Sequence, residues 1–258
     1  IDANTGYSVK QIPVFDEDDK ARQPRYLTGK DGKVYVTCFD GNLLRIDTVK
    51  LEIDGMVKCG RNPEGLCIAN EKIYVANSGG LDNPNYDNTV SVVDLNTFKE
   101  IKKIQVADNP YKIFADSEGD VYVSSRGNYS TSQPYRFQRI DSYVDEVIQE
   151  FEGLNVLNFT IYNDIAYMYS FDFNSDNNWI KTFDCLTEKV IDEKFITDNT
   201  KIEKPYSIQV NPFDGNIYIT NTSDFTMNGD VLCFNKDGEL QFSIDNIGLN
   251  PNKIIFLK

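Results

Sequence analysis

Histidine is absent from all 258 residues. Catalytic systems that use an imidazole base, Ser-His-Asp and Cys-His alike, are therefore excluded, as are imidazole-ligated zinc and iron sites. Cysteine is sparse: Cys38, Cys59, Cys67, Cys185 and Cys233 form no CxxC pair. Their odd number argues against a complete disulfide framework and for small packing residues. No apolar run approaches the roughly 18 residues of a membrane-spanning helix. No Lys/Arg cluster interrupts a balance of 26 basic against 40 acidic residues, a net charge of −14. A phosphate backbone would be repelled, which argues against nucleic-acid binding. A glycine-rich phosphate loop is also missing. The chain opens on Ile1-Asp2 with neither Met nor a leader-like stretch, and the expectation is that targeting information has been cut away.

What is present is aromatic and repetitive. Phe and Tyr, 16 and 15 residues, dominate an aromatic content of 12%, and this composition favours short strands. A Tyr-centred strand occurs five times, at Val34-Tyr35-Val36, Ile73-Tyr74-Val75, Val121-Tyr122-Val123, Ala166-Tyr167-Met168 and Ile217-Tyr218-Ile219. The tyrosines are 39, 48, 45 and 51 residues apart. A second strand ends in an apolar residue followed by an acid at Ile46-Asp47, Val93-Asp94, Ile140-Asp141 and Phe183-Asp184, with Phe234-Asn235 as the fifth copy. Pro24, Pro63, Pro110, Pro205 and Pro251 each introduce a repeat, whereas the fourth repeat carries Asn155 there.

Each repeat reads as a four-stranded antiparallel meander, A to D. In the second, A is 65–69, B is 72–76, C is 89–93 and D is 100–105. Asp94/Thr97 and Asp184/Thr187 place an acceptor side chain where it closes the C–D turn onto backbone N–H groups. Four-stranded units at this period bury their faces only against neighbouring sheets, so the fold class is an all-β propeller, a single domain over residues 1–258. At the ends, Ile1-Asp2-Ala3-Asn4-Thr5 matches the close of a strand C, 9–13 a strand D and 251–257 a lone strand A. Five complete blades with these remnants point to a parent of seven blades, incomplete at its N-terminus.

The B→C connections are long in four repeats, at 77–88, 125–135, 171–178 and 222–229, whereas A→B turns are minimal. Long loops on a rigid scaffold are where binding residues gather. The candidate ligand-binding residues are Asn77, Tyr86, Ser125, Arg126, Tyr129, Tyr135, Phe171, Trp179 and Phe225, a mixture that suits a flat, amphipathic ligand. Mutual packing of the aromatics is the competing reading of any one of them. Asp172, Asn174 and Asp176 open like a calcium loop. However, the sixth-position Gly is missing and Phe183 stands where the twelfth-position Glu belongs, so solvated loop polarity is the favoured reading.

Several stretches carry a family likeness. Asn62-Pro63-Glu64-Gly65, Tyr74-Val75-Ala76-Asn77-Ser78-Gly79-Gly80 and Asn88-Thr89-Val90-Ser91-Val92-Val93-Asp94 resemble the YncE-like β-propellers. Gly119-Asp120-Val121-Tyr122-Val123-Ser124-Ser125-Arg126-Gly127-Asn128-Tyr129, Phe195-Ile196-Thr197-Asp198, Pro205-Tyr206-Ser207-Ile208-Gln209-Val210-Asn211-Pro212 and Gly248-Leu249-Asn250-Pro251 look like the Bacteroidetes surface-lipoprotein branch of BtuG type. That resemblance implies a seven-bladed, lipid-anchored protein on the extracellular face of the outer membrane. It further implies capture of cobalamin or a related corrinoid for a TonB-dependent transporter. The lipidation cysteine and the first strands are missing from this chain.

Three functions compete. Non-catalytic capture of a corrinoid fits the aromatic-polar loops and the lack of histidine. A protein-interaction scaffold at the cell surface would use the same loops. A carboxylate-based enzyme is disfavoured, because the recurring acids are turn residues in nearly every blade. No catalytic residue, resident metal or cofactor is expected.

Overall fold

The computed structural model describes residues 1–129, 134–173, 177–222 and 224–257. They form no helix, and twenty strands build five four-stranded antiparallel sheets, the blades of a β-propeller. The chain divides into two compact units, Ile1–Ala115 with Gly119–Leu154, and Asp116–Glu118 with Asn155–Lys258.

The first unit holds three blades: β1 (Pro24–Lys30), β2 (Lys33–Cys38), β3 (Asn42–Asp47) and β4 (Glu52–Lys58); β5 (Pro63–Ala69), β6 (Lys72–Asn77), β7 (Thr89–Asp94) and β8 (Lys99–Gln105); β9 (Pro110–Ala115), β10 (Val121–Ser125), β11 (Arg136–Asp141) and β12 (Glu146–Glu150). The second holds two: β13 (Asn158–Tyr162), β14 (Ile165–Phe171), β15 (Asn178–Asp184) and β16 (Lys189–Asp192); β17 (Pro205–Val210), β18 (Ile217–Asn221), β19 (Asn228–Phe234) and β20 (Leu240–Leu249). Each sheet runs in chain order, as a meander requires. The Tyr-centred strands are the second strands β2, β6, β10, β14 and β18.

Burial explains the sequence pattern. Second and third strands are covered on both faces, so β6 and β7 read as nearly continuous apolar runs. Fourth strands are the wetter ones: β8 alternates between a wet and a covered face, and β20 is exposed along most of its length. In the first unit, Tyr74, Val90, Val92, Val121, Val123 and Ile140 pack in one cluster, and Tyr35, Leu43, Ile73, Val75 and Val93 in another. In the second unit, Phe195 joins Tyr167 at 5.7 Å and Phe234 at 6.2 Å between ring centroids. The C–D turns form as read: Asp94 accepts from Thr97 N and Oγ1 at 2.7 Å, and Asp184 from Thr187 N at 2.9 Å.

Two segments differ from the reading. Residues 9–13 and 251–257 carry no strand. A strand exists only as part of a ladder, and neither segment pairs through its backbone with a strand among the described residues. The Ile254 N–H is taken instead by the Gln209 side chain.

All five cysteines are free and buried. Burial pushes the Cys38 and Cys59 thiols up to about 12, and Cys67, Cys185 and Cys233 rise for the same reason. A thiol reagent is expected to label the native protein only as fast as it unfolds, and to label all five sites in denaturant. The same shifts set a pH window. Unfolded thiols ionise near 9.0 and native ones above it, so stability falls as pH rises from about 9 towards 12. Rapid labelling of a cysteine in the native state would contradict the packing described.

Candidate ligand-binding site

In four blades the first strand begins with Pro and then a β-bulge: between Pro24 and Leu27, Pro63 and Leu66, opposite Ser124/Ser125 at Tyr111, and between Pro205 and Ser207. One extra residue in each case breaks the ladder, and a bulge of this kind re-aims the side chains beside it. Those side chains are Arg25, Glu64, Tyr111 and Tyr206. The fourth blade has neither the Pro nor a bulge.

In the first unit, β1, β5 and β9 pack side by side, and their bulged heads assemble a polar cluster. Arg25 donates to both carboxylate oxygens of Glu64, each at 3.1 Å, and its guanidinium lies 4.6 Å from the Phe39 ring centre. Thr37 Oγ1 accepts from Tyr26 N at 3.1 Å and donates to Glu64 O at 2.7 Å, which ties β1 to β5. Tyr26 OH donates to Tyr111 OH at 2.8 Å, and Lys112 Nζ donates to Tyr26 OH at 3.1 Å. Lys112 Nζ also sits 4.3 and 4.8 Å from the ring centres of Tyr26 and Tyr111. Arg126 lies directly on Tyr111, its Cζ 3.2 Å from the ring centre. The backbone N–H groups of Arg126 and Gly127 donate to Asn109 O and Asp108 O at 2.9 and 3.0 Å, so the segment before β9 fixes the loop after β10.

These contacts set the ionisation of the two phenols. Burial, then the neighbouring Tyr111, pushes Tyr26 up. For Tyr111 burial acts in the same sense but is outweighed, and Lys112, Arg126 and the Tyr26 hydroxyl bring it below the usual phenol value. Burial also weighs against the charge of Arg126, while Tyr111, Tyr129 and Glu64 favour it.

Six of the expected site residues lie in this unit. Tyr129 is 41% exposed, and its ring stands edge-on to Tyr135 at 6.5 Å. Tyr86 is half-buried, and burial followed by Tyr129 raises its phenol. Asn77 is different. It is fully buried, its Oδ1 accepting from Gly60 N at 3.0 Å and its Nδ2 donating to Thr89 Oγ1 and Ser91 Oγ at 3.0 and 2.9 Å. Its amide holds the blade together. Ser125 is also fully buried.

The remaining three lie in the second unit. Phe171 is buried against Phe173 and Phe225, with ring centres 4.8 and 6.1 Å away, and Tyr206 abuts Phe225 at 6.0 Å. Phe171 therefore serves packing, while Phe173 is 46% exposed. Trp179 is half-buried on the other side of β15, with Lys181 Nζ 5.0 Å from its ring centre. The segment that follows β16 is drawn over this strand: Asn178 Nδ2 donates to Ile202 O and Glu203 O at 3.0 and 2.8 Å, and Asn221 Oδ1 accepts from Glu203 N and Lys204 N at 3.1 and 3.0 Å. Between them opens a cleft of about 960 Å³, walled by Trp179 and Ile180, with Glu193, Asn199, Lys201 and Lys204 at its polar margin. Asp172 is exposed, and Asn174 and Asp176 fall outside the described residues. Among the described residues no three acids or cysteines gather to hold a metal.

Arg25, Tyr26, Glu64, Tyr111 and Lys112 were not expected from the loops, because they sit on strands. The signal that marks them is the introducing Pro: the position just after it is Arg25, Glu64, Tyr111 and Tyr206 in four blades, and Tyr26 and Lys112 follow one residue further on.

No family model matches the chain, and no curated relative matches its sequence. Its structure is similar to Kuenenia stuttgartiensis hydrazine synthase, with a TM-score of 0.71 and 17% identity over 96% of this chain and 73% of that one. It is also similar to the computationally designed Ika8 protein, with a TM-score of 0.62 and 11% identity over 95% of this chain and 81% of that one. At such identities the likeness is one of fold, and the class it defines is the β-propeller with five four-stranded blades.

Proposed function

We propose that the chain is a non-catalytic ligand-capture propeller that binds cobalamin or a related corrinoid and passes it to a TonB-dependent transporter on the extracellular face of the outer membrane. The likeness to BtuG-type, YncE-like propellers supplies the ligand class and the lipid-anchored setting. The observation that carries the reading is the Trp179 cleft, of about 960 Å³, with one aromatic wall and a margin of amide, ammonium and carboxylate groups. A corrin is a flat conjugated ring with amide arms, and such a cleft meets it with an aromatic face and polar groups that fix orientation. Mixed polar and apolar lining suits holding an amphipathic ligand.

Calorimetric titration with cobalamin and with cobinamide tests this. Both are expected to bind, and Trp179→Ala is expected to cost about 2 kcal/mol, the loss usual for a central aromatic anchor. Binding that is unchanged in Trp179→Ala would move the site out of this cleft.

A further inference from the structure

Most of the cations in this acidic chain are paired with carboxylates: Arg22 with Asp40, Lys33 with Asp47 and Asp54, Arg61 with Asp82, Lys72 with Asp145 and Arg139 with Asp120. With 40 acidic residues available, the setting of Arg126 stands apart. Its guanidinium rests on a ring, and its Nε is shielded from solvent without a hydrogen-bond partner among the described residues. Lys112 shares that same ring, and Glu64, the carboxylate of the cluster, is held in a two-pronged pair with Arg25. Two like charges thus face one buried tyrosine. A buried guanidinium N–H without an acceptor is costly, and like charges at this range repel more strongly in a dry environment than in water. An anion placed against both would supply the missing acceptor and remove the repulsion. The planar fork of an arginine fits an oxyanion in particular.

We infer that Arg126, on the loop after β10, and Lys112, on β9 beside its bulge, form a binding site for the oxyanion group of a small molecule, a carboxylate or a phosphate. Arg25, only half-exposed and oriented by Glu64 and Phe39, borders the site as a positioning residue. The Tyr111 hydroxyl, which accepts from Tyr26, adds a neutral donor. The site lies wholly within the first unit and shares no residue with the Trp179 cleft, so it goes beyond the corrinoid reading.

The test is calorimetric titration of the whole chain with inorganic phosphate and, separately, with succinate, at low and at raised KCl. At least one is expected to bind, with affinity falling as salt rises. Arg126→Gln and Lys112→Met are each expected to weaken that binding about tenfold or more, the usual consequence of losing a charge-assisted contact. Binding of phosphate alone assigns a phosphoryl group, and binding of succinate alone a carboxylate. Absence of binding by both probes, or binding that survives Lys112→Met unchanged, overturns the inference. Should Arg126→Gln fail to melt as a folded protein, Lys112→Met decides alone. Failure of cobalamin to bind would leave this result untouched, and failure of phosphate and succinate would leave the corrinoid titration untouched.

Discussion

Asp145→Ala is expected to lower the unfolding free energy by about 3 kcal/mol and the melting temperature by roughly 6–10 °C. Asp145 sits in the β11–β12 turn and accepts from two groups of the preceding blade, Tyr74 OH and Lys72 Nζ, the latter at 2.8 Å. Tyr74 is fully buried and Lys72 largely so, and the same ammonium also donates to Ser142 O at 2.8 Å. Asn70 Nδ2 completes the seam with a bond of 2.6 Å to Ser142 Oγ. Removing the carboxylate leaves a hydroxyl and an ammonium without their acceptor, and the cost is the desolvation of both. Asp145 also has a positive φ, 57°, which Asn tolerates and Ala does not. Asp145→Asn therefore separates the two effects: it keeps the backbone and one acceptor, and about half the loss should return. Combining Asp145→Ala with Lys72→Met should cost less than the sum of the two single changes. Strict additivity would mean that this seam does not couple the two blades.

Gly65→Ala is expected to cost about 3 kcal/mol, at the upper end for one added methyl group, and to weaken the oxyanion site with it. A Cβ at Gly65 would lie 2.6 Å from Tyr111 O and 3.2 Å from Ile113 N. Both are backbone atoms of β9, so no rotamer change relieves the clash and the strand itself must move. Tyr111 and Lys112 ride on that strand, and Glu64 adjoins the glycine. Separating β5 from β9 therefore parts the residues that the bulges bring together. Denaturant unfolding measures the first consequence and phosphate or succinate titration the second. A variant as stable as the parent, with the same anion affinity, would show that the close approach of the strands is dispensable.

The blades were legible in the sequence because their physics is local. A Tyr-centred strand recurs in all five blades, and an apolar residue before a turn acid and a Pro at the head of the first strand recur in four of them, so the ladder follows from them. The Asp94/Thr97 and Asp184/Thr187 turns could be read from two letters each, since the side chain closes onto its own neighbours. The site was legible only in part. Arg126, Tyr129 and Tyr86 could be singled out as candidates because they lie on long loops, and Trp179 because it borders one. Asn77 looked like a polar loop residue, whereas its amide is wholly engaged within its blade. Tyr26, Glu64 and Tyr111 come from three blades, up to 85 residues apart for the Tyr26–Tyr111 pair. No local pattern encodes that meeting; it needs the bulges and the packing of β1, β5 and β9.

The central claim is capture of a corrinoid in the second unit, and the chain carries its own reporter. Trp179 is its one tryptophan, and it forms the wall of the cleft. Corrinoids absorb strongly where tryptophan emits, so a corrinoid bound against that ring quenches it by energy transfer. Titration of the protein with cobalamin, followed through Trp179 emission and corrected for inner-filter absorption, should give saturable, stoichiometric quenching. Quenching no greater than that of free tryptophan at the same cobalamin concentration would contradict the account.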